Sequence, residues 1–144
     1  LILTLKDGDY SSQSIKAFSK VTGITIVKRG PGGVADELVI ATDKGTYKII
    51  SEYNIRAVLC DGVTMVVRQD GSEVSMPNLL PSAFFVIEPS HDKKNVVGYN
   101  IIGGGFGHGV GMSQNGAKNM ALHGLGAEQI LNFFYEGCEI CSGQ

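Results

Sequence analysis

The amino-acid sequence predicts an α+β fold in which a mostly antiparallel β-meander forms a barrel-like sheet with short helices and two C-terminal helices packed on it. Short β-branched runs recur along most of the chain, and residues that favour turns, such as Asp43-Lys44-Gly45, separate them. Two segments with helical spacing of their apolar residues follow near the end. A length of 144 residues with 43% apolar content fits one domain, residues 1–144, with its own core.

The strands are predicted from runs rich in Val, Ile, Tyr and Phe, bounded by glycine, proline and polar turn residues. They are expected at 1–5, 24–27, 38–40, 47–50, 63–68, 84–87 and 96–102.

Four helices are predicted, three from serines that can cap them and the last from the helical spacing of its apolar residues. Ser11 or Ser12 can begin a helix that runs to about residue 21, and Ser51 can cap a helix over 52–59. In that helix Glu52 and Arg56 stand four residues apart and are expected to form a surface pair. The third helix is expected to begin after Ser113 and to end at Gly124. The fourth is expected from about Ala127, with Gly137 ending it.

Composition excludes several classes of partner. The net charge is −2 and the lysines and arginines are not clustered, which argues against a nucleic-acid or anionic-membrane surface. No apolar run approaches the roughly 20 residues of a membrane span. Because the chain opens on Leu1 in a strand-like run without Met, we expect a piece of a longer protein.

The cysteines do not predict a metal site. Cys60 lies at the end of an amphipathic stretch, where a buried free thiol is the ordinary reading. Cys138 and Cys141 form one C-x-x-C with no second pair and no nearby histidine, so a short disulfide or two plain thiols is favoured over zinc.

The most informative segment is 103–124, where glycine occupies every second position from Gly103 to Gly111 before a helix start. If the segment is extended, one face carries no side chains and the other presents His108. Bare backbone admits a close neighbour, which is either a ligand ring or another strand of the same domain.

Polar groups next to this segment favour a ligand. The start of a helix at Ser113 offers free amides, but the glycines fit neither nucleotide-binding pattern, so no cofactor is expected. His108, Ser113 and Gln114, with the backbone of Gly107 and Gly109, offer donors and acceptors suited to a sugar hydroxyl or a carboxylate.

The pattern G-x-G-H-G-V-G-M-S-Q-x-G-A, followed by M-A and I-L-x-x-[FY]-Y-x-G, resembles the signature of the stage II sporulation protein D family. Segments upstream are similar to the same family in the same order: the turn 29–33, the strand ending at 37–40, the 55–56 helix and the segment 80–84. The resemblance covers about the last three quarters of the chain and identifies it as the C-terminal portion of a larger member.

Members of that family are lytic transglycosylases of the bacterial cell wall, or enhancers of wall hydrolases, that act on peptidoglycan glycan strands. The resemblance therefore implies a peptidoglycan-binding part, with Arg29 joining His108, Ser113, Gln114, Gly107 and Gly109 as substrate-binding residues. It also implies a location in the cell envelope, outside the cytoplasmic membrane, and other wall hydrolases or sporulation proteins as partners.

No catalytic residue is predicted in this chain. The family's glutamate precedes an alanine-rich helix that nothing here matches, and Glu37, Glu52 and Glu88 each have an ordinary surface explanation. The catalytic acid is therefore expected outside the chain. The alternative is a non-catalytic wall-binding module that enhances a partner hydrolase.

Overall fold

The computed structural model describes residues 2–141 and divides into two compact units, Leu1–His108 and Gly109–Gln144. Each unit is built from elements that are contiguous in sequence, since the boundary falls within the glycine-rich segment. The assignment of residues 1–144 to a single domain stays a prediction.

The first unit contains a five-stranded sheet in which every neighbouring pair of strands is antiparallel. Its order along the sheet is β2-β1-β5-β4-β3, so the last three strands form a meander and β1 adds beside β5. The strands are β1 (Ile2–Lys6), β2 (Asp9–Ser11), β3 (Val21–Arg29), β4 (Ala35–Thr42) and β5 (Gly45–Ile50).

A helix and two hairpins complete the first unit. They are α1 (Glu52–Val58), the pair β6 (Met65–Val67) and β7 (Glu73–Ser75), and the pair β8 (Phe85–Asp92) and β9 (Asn95–Gly103). Both hairpins are antiparallel, so the prediction of an α+β fold with mostly antiparallel strands is confirmed.

The core of this unit lies where α1 covers β4 and β5. Leu38, Ile49 and Ile55 have the largest fully buried side chains, and Ala83 and Phe85 join them from the start of the second hairpin. Ser51 begins α1 as predicted, because its hydroxyl accepts a hydrogen bond from the amide of Asn54.

The helix predicted from Ser11 or Ser12 to residue 21 is wrong. Residues 12–20 have no regular structure and all are exposed. Asp43 accepts hydrogen bonds from the amides of Ser19 and Lys20, which gives these donors partners without a helix. The ring of Phe18 lies 6.1 Å from that of Tyr47, so the segment is attached to the sheet through a few contacts and its helical propensity does not decide its conformation.

The second unit contains α2 (Gln114–Leu122) and α3 (Ala127–Phe134), as predicted. Ser113 caps α2, and Gly124 follows it with a φ of +89°, a conformation that glycine adopts without strain. The two helices contact each other closely, because a Cβ added at Gly116 would lie 3.1 Å from the ring of Phe134. The packing of these helices on the sheet stays a prediction.

Candidate functional site

Three segments that the sequence singled out meet in the first unit. They are the turn after β3, the segment 80–84 and the beginning of the glycine-rich segment. The amide of Ala35, just after the turn, donates to the carbonyl oxygen of Ala83 (2.9 Å), and the amide of Gly107 donates to that of Pro81 (2.9 Å). The segment 80–84 therefore lies between the other two and holds both.

Arg29 connects the end of β3 to the start of β8. One terminal nitrogen of its guanidinium donates to the carbonyl oxygen of Gly33 and the other to that of Phe85, both at 2.7 Å. Among residues 2–141 no carboxylate pairs with this guanidinium. Arg29 thus organises the backbone around it, and its predicted contact with substrate stays a prediction.

Gly33 and Phe84 fit together. Gly33 has a φ of +81°, and a Cβ added to it would lie 2.8 Å from Cε2 of Phe84. Only glycine satisfies both conditions, which explains the glycine at this place in the turn. The Phe84 ring rests on this bare backbone and is still 50% exposed.

Ser82 fixes the path of the chain after β9. Its hydroxyl donates to the carbonyl oxygen of Gly104 (2.6 Å) and accepts from the amide of Phe84 (3.0 Å). The amide of Gly104 in turn donates to the carbonyl oxygen of Phe84 (3.0 Å). The local sequence can indicate only the bond to the Phe84 amide, two residues on, because the other partner of Ser82 lies 22 residues away.

Arg56 supports the same segment from α1, and its expected surface pairing is wrong. The residue is 9% exposed, and its guanidinium donates to the carboxylate of Glu52 (3.1 Å) and to the carbonyl oxygens of Leu80 (2.8 Å) and Pro81 (3.2 Å). The four-residue spacing was correct, but spacing alone does not tell whether other chain segments cover a pair.

The glycine-rich segment is not extended, so the expectation of one bare face along it is wrong. β9 ends at Gly103, and Gly105, Gly107 and Gly109 have φ values of +82°, +122° and +68°. These glycines are needed because L-residues rarely adopt such angles, and the chain turns repeatedly instead of forming a strand. At Gly103 the glycine admits another strand of the same domain, as the sequence analysis allowed. A Cβ there would collide with the carbonyl oxygen of Phe84 and with Phe85.

The predicted site residues are divided between the two units. Gly107 and His108 end the first unit, and the His108 side chain is exposed between two glycines with positive φ. Gly109, Ser113 and Gln114 begin the second unit, where Gln114 is exposed at the first turn of α2. The Ser113 hydroxyl accepts from the amide of Gly116 (3.1 Å), which confirms it as a cap. Substrate binding by these residues stays a prediction.

A depression of about 360 Å³ lies beside Arg29 on the first unit. Its wall combines a guanidinium, an aromatic ring, aliphatic side chains and bare backbone. Among the residues that line it are Arg29, Gly33, Phe84, Val86, Ile102 and Gly103.

The three cysteines lie in two kinds of environment, one partly buried and the other exposed. The Cys60 thiol is partly buried and donates to the carbonyl oxygen of Met76 (2.8 Å), whereas Cys138 and Cys141 are exposed free thiols. Within residues 2–141, no three metal-ligating side chains come together. In the same range, no helix is long and apolar enough to span a membrane.

Parts of the chain are similar to a stage II sporulation protein D and to an amidase enhancer. It is 53% identical over 36 residues to stage II sporulation protein D of Bacillus subtilis (strain 168), a match to 25% of this chain and 10% of that protein. It is 48% identical over 50 residues to the amidase enhancer of the same organism, covering 35% of the chain and 7% of that protein. The resemblance inferred from the glycine-rich motif is therefore confirmed.

A longer stretch of the chain matches a protein whose name assigns it no role. An uncharacterized protein of Brachyspira hyodysenteriae is 40% identical over 75 residues, which are 52% of this chain and 19% of that protein. The chain thus spans less than a fifth of the length of these relatives. No solved structure matches it.

A family match covers both hairpins, the sheet and the glycine-rich turn. Residues 3–111, well over half of the chain, match the family described as Domain of unknown function (DUF8618). The chain therefore belongs to this family, whose matched range contains the whole depression beside Arg29.

Proposed function

We propose that this chain is the peptidoglycan-binding part of a cell-wall protein that resembles stage II sporulation protein D, with the catalytic acid of a lytic transglycosylase lying outside it. The similarity to stage II sporulation protein D and to an amidase enhancer supports a role in sporulation and the cell wall. Since peptidoglycan lies outside the cytoplasmic membrane, the parent protein acts there.

The observation that carries the proposal is the glycine turn around His108. Gly107 and Gly109 hold the backbone in a conformation that only glycine adopts readily, and the imidazole between them is exposed. Because Gly107 and Gly109 carry no side chains, a bulky ligand can approach the backbone on either side of the imidazole. Ring nitrogens can donate to or accept from sugar hydroxyls.

Two glutamates that could serve as the catalytic acid are already paired with cations, which favours a binding role over a catalytic one. A general acid must offer a proton to the glycosidic oxygen. Glu52 is engaged by Arg56, and Glu37 by Lys48 at 3.0 Å, so neither carboxylate is offered to a ligand. Glu88 stands exposed on the second hairpin.

The name of one relative favours a second function. The amidase enhancer of Bacillus subtilis is 48% identical over its matched stretch. The alternative is that the chain binds the wall without any connection to glycan cleavage and enhances a partner amidase.

Purified peptidoglycan sacculi distinguish these possibilities. We expect the chain to sediment with sacculi and to release no soluble anhydro-muropeptides. If the chain does not sediment, wall binding is refuted, and if anhydro-muropeptides appear, the catalytic acid is inside it. A purified amidase added to the same sacculi tests the alternative, which requires that the chain increase the release of stem peptides.

Substitutions test the site itself. His108→Ala and Gln114→Ala are expected to weaken binding to sacculi by about 2- to 10-fold each, the loss of one hydrogen bond. His91→Ala is the matched control, because His91 is an exposed histidine of the second hairpin. Melting temperatures should stay close to that of the unsubstituted chain, and binding unchanged in both variants would remove these residues from the site.

A further inference from the structure

We propose that the exposed face of Phe84 is a stacking platform for one saccharide ring, and that Arg29 beside it recognises a carboxylate carried by the same glycan unit. The inference rests on the proposed wall binding. It assigns a role to Phe84, which the sequence indicated only as part of the segment 80–84, and it adds a charge requirement on the ligand.

Phe84 is held as a rigid platform. It lies between Ala83 and Phe85, which are 0% and 5% exposed and belong to the core, whereas Phe84 itself faces outward. Gly33 lets the ring lie against bare backbone, and Ser82 accepts from the Phe84 amide. A ring fixed in this way loses little conformational entropy when a ligand stacks on it.

The surroundings of the ring suit a sugar. A saccharide ring has one face of C–H groups, which packs on an aromatic surface, and an edge of hydroxyls that needs polar partners. Val86 and Ile102 extend the apolar wall, and Gly103 adds backbone without side chains. The depression is open to solvent along one side, which suits one ring of a longer strand lying across the surface.

Arg29 supplies the charge selectivity. A guanidinium has five N–H donors, and the hydrogen bonds to the carbonyl oxygens of Gly33 and Phe85 use two of them. These carbonyls orient the guanidinium without neutralising its charge. Within residues 2–141, no carboxylate neutralises it either. An oriented cation beside an aromatic platform is complementary to an amino sugar that carries a carboxylate-containing substituent, as a muramyl-peptide unit does.

A tryptophan at position 84 tests this directly, since the chain has no tryptophan of its own. Phe84→Trp is titrated with soluble muropeptides, and we expect a saturable change of its fluorescence. Phe18→Trp is the control, because Phe18 is an aromatic of similar exposure, 45%, on the segment 12–20 away from the depression. A response at both positions, or at neither, overturns the stacking proposal.

Two further measurements complete the test. Phe84→Ala should lower the affinity for muropeptides at least several-fold while its circular dichroism spectrum stays unchanged. Chitotetraose, a neutral amino-sugar chain, should bind more weakly than muropeptides of similar length, and added salt should reduce the difference. Equal affinity for the two ligands overturns the role of Arg29.

Failure of this inference is distinguishable from failure of the proposed function. If the chain sediments with sacculi, but Phe84→Ala binds as well as the unsubstituted chain, wall binding stands and the platform is refuted. If the unsubstituted chain binds neither sacculi nor muropeptides, both are refuted.

Discussion

The Nε of Arg56 donates a hydrogen bond of 2.8 Å to the carbonyl oxygen of Leu80 and so ties α1 to the segment that supports the glycine-rich turn. The same guanidinium reaches Pro81, whose carbonyl oxygen also accepts from the amide of Gly107. The buried arginine therefore supports the segment that holds the glycine-rich turn, and its loss should be seen first in stability.

Arg56→Ala is expected to lower the free energy of unfolding by about 3–5 kcal/mol, because it leaves the carboxylate of Glu52 poorly solvated and without its cation. Urea unfolding followed by circular dichroism measures the change. The double variant Arg56→Ala and Glu52→Ala is the control and should recover part of the loss, since no orphaned charge is left. A loss below about 1 kcal/mol in the single variant would show that the pair behaves as a surface pair.

Gly33→Ala is expected to destabilise the chain more than a positive φ alone explains. Its φ of +81° strains an alanine, and the new Cβ collides with the ring of Phe84. Gly71→Ala is the matched control, since Gly71 has a φ of +80° with open space around the position of a Cβ. Strain alone should cost about 1–3 kcal/mol in both variants, and the excess at Gly33 measures the collision.

Thermal unfolding of these two variants also tests the contact itself. Adding Phe84→Ala to Gly33→Ala should remove the excess and leave only the cost of the strain. If Gly33→Ala and Gly71→Ala unfold at the same temperature, the Phe84 ring moves aside freely and is not the rigid platform described above.

Local signals were sufficient for most of the fold. Ser51 and Ser113 cap helices because a hydroxyl bonds to an amide within a few residues, and the turn at Asp43-Lys44-Gly45 joins two strands adjacent in sequence. Predictions were wrong where the conformation depends on contacts with segments distant in sequence. The helix predicted over 12–21 does not form, and the amides of Ser19 and Lys20 donate instead to Asp43, more than 20 residues away.

The site was predicted less completely than the fold. The glycine-rich segment was identified, but alternation of glycines is compatible with a strand and with repeated turns, and only the φ angles decide between them. Phe84 and Ser82 were not assigned a role, because their partners Gly33 and Gly104 are distant in sequence. The exposure of an aromatic side chain follows from packing, which the local sequence does not specify.

The three cysteines are expected to differ in reactivity. Cys138 and Cys141 are exposed, whereas the Cys60 thiol is partly buried and donates to the carbonyl oxygen of Met76. Iodoacetamide should therefore alkylate two sites rapidly under native conditions and the third only in urea. Mass spectrometry of digested protein locates each adduct. Rapid native labelling of Cys60 would show that its hydrogen bond opens readily.

Acid stability should depend on Asp43. The hydroxyl of Ser19 donates to its carboxylate, and this bond, aided by the amides of Lys20 and Ser19, lowers the pKa of Asp43 below its ordinary value of 3.8. A carboxyl whose pKa is lower in the folded chain adds stability above its unfolded pKa, and this is lost as pH falls through the folded value. Ser19→Ala should thus raise the pKa of Asp43 and lower stability at neutral pH, with the difference from the unsubstituted chain vanishing in strong acid.

Carboxyl-carbon NMR titration measures the pKa of Asp43. The control is Ser14→Ala, since Ser14 is another exposed serine of the segment. An Asp43 that titrates at 3.8 in both the unsubstituted chain and Ser19→Ala would contradict this attachment of the segment to the β4–β5 turn.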